Sequence, residues 1–66
     1  MAKKVREVIA ILEAHGWTQV RERGSHRQFK HPEFESVVTV TGKRSGTLPV
    51  GQLASIRRNS GIEELR

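Results

Sequence analysis

The chain has 66 residues with 35% apolar content and no cysteine. That length allows one domain, over 1–66, with a thin core and no room for a buried substrate cavity, and it excludes disulfide and thiolate chemistry. Twelve Lys and Arg against seven Asp and Glu give a net charge of +5 and a pI near 10.8, the electrostatic footprint of a polyanion binder.

Residues 3–15 read as the first helix, because Val5, Val8, Ile9 and Leu12 repeat at the spacing of one buried stripe. Gly16 is a left-handed stop, and Trp17 then folds back onto Leu12. The helix start is poor: Lys3 and Lys4 oppose the dipole and no capping side chain precedes it. Two strands follow, 17–23 and 26–31, joined by Gly24-Ser25, a pair that fits a type II′ hairpin turn. A two-residue turn sets Arg23 opposite His26, Glu22 opposite Arg27, Arg21 opposite Gln28 and Val20 opposite Phe29. In that register Val20–Phe29 and the Glu22–Arg27 ion pair occupy one face, and Arg21, Arg23, His26, Gln28 and Lys30 share the other. The loop 31–36 leads to a β-branched third strand, 37–41. The basic loop 42–48 carries Lys43 and Arg44, and Pro49 opens a last helix with Val50, Leu53, Ala54 and Ile56 as its stripe. Gly61 ends that helix, Ile62 folds back on Ile56, and Glu63 to Arg66 form a loosely held tail.

The order is α-β-β-β-α: an α+β fold with a three-stranded antiparallel sheet and two helices on one face. Double-stranded-RNA-binding domains have the same order, an analogy that points to RNA.

The face carrying His26 is the candidate site. RNA brings its own nucleophile, the 2′-hydroxyl, so a protein that cuts it needs a base and cations for the phosphate. Histidine titrates nearest to neutral pH and suits that proton transfer. Arg21, Arg23, Gln28 and Lys30 would hold phosphate oxygens beside it. Ser25, Lys43 and Arg44 are further candidates for phosphate contact. Ser25 with His26 makes no hydrolase dyad, because neighbours on a strand point to opposite faces and no third acid lies there. His26 and His31 also point to opposite faces, and with no ligand cluster no metal and no cofactor is expected. Trp17 and Phe29 read as core.

Several strings resemble one family. They are Gly16-Trp17, then Val20 through Phe29 with its Arg-Gly-Ser-His, then His31-Pro32, Gly46-Thr47-Leu48-Pro49, Leu53-Ala54-Ser55-Ile56 and Ser60-Gly61-Ile62. Together they are similar to the HicA (YcfA-like) toxins of bacterial HicA–HicB toxin–antitoxin pairs. One departure is Thr41-Gly42-Lys43-Arg44, where relatives often carry His-Pro after the third strand. The resemblance implies a double-stranded-RNA-binding-like fold, an endoribonuclease that cleaves mRNA with His26 as its catalytic histidine, and a HicB-like antitoxin that neutralises it by covering the His26 face. The rival readings are a non-catalytic RNA-binding module on the same basic sheet, and a basic surface made for an acidic protein. The amphipathic segment directly after Met1-Ala2-Lys3-Lys4, without a signal-peptide core, gives the expectation of a cytoplasmic protein with no membrane partner.

Overall fold

The computed structural model describes residues 3–65. Met1-Ala2 and Arg66 lie outside them. In chain order the elements are β1 (Lys3–Lys4), α1 (Val5–Ala14), β2 (Thr18–Arg23), β3 (His26–His31), β4 (Phe34–Thr41), β5 (Thr47–Leu48) and α2 (Val50–Ser60). The fold is α+β, with β2-β3-β4 forming a three-stranded antiparallel sheet as expected. A small ribbon, β1 with β5, is an addition to that reading.

The first helix starts at Val5 rather than residue 3, because Lys3 and Lys4 pair with Leu48 and Thr47. This ribbon resolves the missing cap. The loop after β4 supplies backbone carbonyls instead of a side chain: Val5 N–H donates to Gly46 O at 3.0 Å and Arg6 N–H to Arg44 O at 3.3 Å. At the other end Gly16 adopts φ +91°. Its N–H donates to Glu13 O and that of Trp17 to Leu12 O, which closes a Schellman turn and drives Trp17 into the core.

The packed side of the sheet presents Phe29, Val38 and Val40. Both helices lay their stripes on it, Val5, Val8, Ile9 and Leu12 from α1 and Leu53 and Ile56 from α2, and Trp17, Leu48, Ile62 and Leu65 complete one cluster. Val50 was expected in the second stripe but is 58% exposed, because Pro49 is the residue before the helix rather than its first turn. The tail is not loose: Leu65 is fully buried, its N–H donates to Ile62 O, and its carbonyl accepts from Arg57 Nη1 at 3.2 Å. A terminal leucine in a thin core has apolar area to lose if it floats free.

Both strand junctions depart from a regular ladder. In β2 a bulge at Val20 sets Gln19, not Val20, opposite Phe29, and Val20 is 54% exposed. The expected Val20–Phe29 pair is therefore corrected. β4 starts at Phe34, three residues before the expected 37, because Pro32-Glu33 makes a tight turn that sets His31 opposite Phe34. The extra length is taken up by a register shift before Phe29↔Val38.

Candidate functional site

The Gly24-Ser25 turn aims the site. Gly24 has φ +59° and Ser25 does not have a positive φ, the type II′ pattern. Arg23↔His26, Glu22↔Arg27 and Arg21↔Gln28 follow in the expected register. Across the other junction Gln28 lies opposite Thr39 and His26 opposite Thr41.

Residues paired across antiparallel strands project to the same side. Arg21, Arg23, His26, Gln28 and Thr39 therefore meet on the side of the sheet away from Phe29, where they line an open concavity of about 370 Å³. Thr39 is the lining residue the sequence reading missed. Its place depends on the β3–β4 register, which the bulged start of β4 hides from sequence. No carboxylate of the described residues lines the concavity.

The three histidines sort themselves by their partners. Glu33 N–H donates to His31 Nδ1 at 3.0 Å, so His31 Nε2 carries the proton and donates to His15 O at 3.0 Å. His15 Nε2 meets Glu64 Oε1 at 2.9 Å. His26 is exposed, and its side chain has no hydrogen bond or ion pair to any described residue. Its imidazole is therefore open to a bound molecule, with Arg23 directly opposite and Arg21 further along the same face.

The other predicted residues fall outside the concavity. Lys30 is exposed on the same strand but further along, opposite Thr18. Ser25 sits at the turn tip, where its carbonyl accepts from Gly42 N–H at 2.9 Å. Lys43 and Arg44 occupy the loop after β4, at the His26 end of the sheet. The expected Glu22–Arg27 ion pair does not form. Arg27 turns inward, only 7% exposed, and its Nη1 donates to Gly42 O at 2.8 Å, while Glu22 accepts from Gln19 Nε2 at 3.1 Å. Among the described residues no group of three His, Cys, Asp or Glu is placed to hold a metal, and no helix is long and apolar enough to cross a membrane.

The family model for the HicA toxin of bacterial toxin–antitoxin systems matches residues 5–62. The chain belongs to the HicA toxin family. No curated protein matches it significantly. The match spans the sheet, both helices and every residue of the concavity, so His26, whose side chain has no partner among the described residues, lies on the open face within the matched region.

Proposed function

We propose that this HicA-family chain is a metal-independent endoribonuclease that cleaves mRNA in the cytoplasm and is inhibited by a HicB-like antitoxin seated over the concavity. The observation that carries the reading is the unpartnered imidazole of His26 opposite Arg23, with Arg21 on the same face, in a concavity that no carboxylate of the described residues lines. Such a site attracts a phosphodiester and repels nothing in it.

In this reading Arg21 and Arg23 hold the non-bridging oxygens of the scissile phosphate and stabilise the charge that grows on them. Gln28 and Thr39 offer hydrogen bonds to the sugar or phosphate. His26 accepts the 2′-hydroxyl proton as the 2′-oxygen bonds to phosphorus. The phosphorus–O5′ bond breaks, and the departing oxygen takes a proton from the imidazolium or from water on the open face. The products are a 2′,3′-cyclic phosphate and a 5′-hydroxyl. Lys30, Ser25, Lys43 and Arg44, outside the concavity, would contact neighbouring phosphates in this reading. A surface this open grips backbone more than base edges, so cleavage is weakly sequence-specific.

The test is an RNA carrying a single 2′-deoxy nucleotide at a mapped cut. That substitution removes the nucleophile and hardly changes phosphate binding. Cleavage there stops, and His26→Ala lowers cleavage of ordinary RNA at least about 100-fold with binding retained. Cutting at the deoxy position would refute 2′-hydroxyl attack. RNA binding without any cutting by the intact chain would leave a binding module.

A further inference from the structure

Exposed cations also lie beyond the concavity. At the end away from the Gly24-Ser25 turn His15 meets Glu64, and His31, which donates to the His15 carbonyl, accepts from the Glu33 backbone N–H. At the opposite end a continuous chain of contacts leads away from His26. His26 lies opposite Thr41, and Gly42 N–H donates to the Ser25 carbonyl inside the turn. The loop then carries Lys43 and Arg44 to the start of α1, where Arg6 N–H meets Arg44 O and Val5 N–H meets Gly46 O. Lys4 is joined to the same corner through Thr47.

Lys4, Arg6, Lys43 and Arg44 are all exposed, and none is paired with a carboxylate of the described residues. Glu7 is the one acid in the first turn of α1. The loop that presents two of these cations is held at several points. Arg27 grips Gly42 O from the packed side, Gly46 N–H donates to Lys43 O at 2.8 Å, and the helix start binds its carbonyls. The cations therefore stand on a preorganised support, so binding orders little. The large apolar side chains that are exposed, Val20, Phe34, Val37 and Val50, lie in neither Lys3–Lys4, the helix start nor the 42–46 loop. A protein-docking patch has an apolar centre; this corner has none.

We infer that Lys4, Arg6, Lys43 and Arg44 form a second RNA-backbone site, continuous with the His26 concavity around the corner of the molecule, that holds single-stranded RNA flanking the scissile phosphate. The inference rests on the RNA reading above and extends it to the helix start. A path that turns from the sheet face to the start of α1 suits a flexible strand, whereas a duplex keeps its phosphates in rigid rows.

The experiment uses the His26→Ala protein, which leaves bound RNA uncut, with Lys4→Gln and Arg6→Gln added together. Binding of fluorescent single-stranded RNA of about twelve and of about four nucleotides is followed by anisotropy across a salt series. The double change weakens the longer RNA roughly ten-fold and lowers its salt slope by about 1.4, at about 0.7 per lost contact. The shorter RNA, which fills only the concavity, binds as before. Arg44→Glu, a single reversal on the loop, weakens the longer RNA in the same way and guards against a folding defect at the helix start. Unchanged affinity and slope for the longer RNA overturn the inference, as does equal weakening of both lengths. Loss of antitoxin binding with RNA binding intact also overturns it, and makes the corner a protein surface. If the length-dependent loss is seen but the intact chain cuts no RNA, the nuclease reading falls and the RNA track stands.

Discussion

Arg27 brings a guanidinium to the packed side of the sheet with no carboxylate to meet it. Its head is held by one carbonyl, that of Gly42, and its Nε has no partner among the described residues. A charged group so placed is costly to bury and still more costly to delete without filling its space. Arg27→Ala should lose about 2–3 kcal/mol, from a charge-assisted hydrogen bond and the cavity left by the stem. Arg27→Met keeps the stem and sheds the buried charge, so urea melts should place it within about 1 kcal/mol of the parent. Equal losses for the two would mean that the guanidinium contact itself, not the packing of the stem, anchors β3 to the loop. In the sequence Arg27 reads as the partner of Glu22, and the ladder does set them opposite each other. The pairing rule locates backbones correctly. It does not foresee that a long side chain reaches a carbonyl fifteen residues on, because that carbonyl's position depends on the whole β4 loop.

At the scale of elements, two glycines with nothing near them should respond in opposite directions. A Cβ at Gly24 or at Gly51 would meet no atom within 4 Å, so space decides neither case. Gly24 holds φ +59° at the hairpin turn, whereas Gly51 lies in α2 with no positive φ. Gly24→Ala should cost about 1–2 kcal/mol of backbone strain, and Gly51→Ala should gain about 0.5 kcal/mol from a less flexible unfolded chain. Thermal melts separate them, since about 1 kcal/mol moves the midpoint of a domain this size by roughly 4–8 °C. A Gly24→Ala protein as stable as the parent would rule out the left-handed turn, and with it the register that sets Arg23 beside His26. That register is the part of the site legible in sequence, because a two-residue turn leaves only one way to pair the residues next to it. The ladder becomes illegible where it slips, at Val20 and between Phe29 and His31, since no local pattern marks those bulges. The stripe Val5, Val8, Ile9 and Leu12 is entirely buried, as its period requires. The Lys3–Lys4 ribbon is hidden for a different reason: two lysines carry no strand pattern, and their partners lie more than forty residues away.

For the whole molecule the governing fact is how little core there is to share. A chain this small has stability on the order of 5 kcal/mol, so each fully buried side chain is a large fraction of the total. The residues after α2 are part of that core. Gly61, with φ +72°, turns the chain at the helix end, Ile62 is 4% exposed and Leu65 is fully buried. Charge in Glu63, Glu64 and Arg66 makes the tail read as solvated, and only the one apolar residue among them signals otherwise. Leu65→Ala should therefore cost about 2–4 kcal/mol, enough to bring the urea midpoint down to roughly three-fifths to one-fifth of its parent value while the slope, set by the surface exposed, stays nearly constant. The same protein at low temperature without denaturant should keep the proposed RNA binding, because Leu65 does not line the concavity. A stability within about 0.5 kcal/mol of the parent is the range of an ordinary surface change. It would show that the tail hangs free in solution, and that the core closes at Ile62.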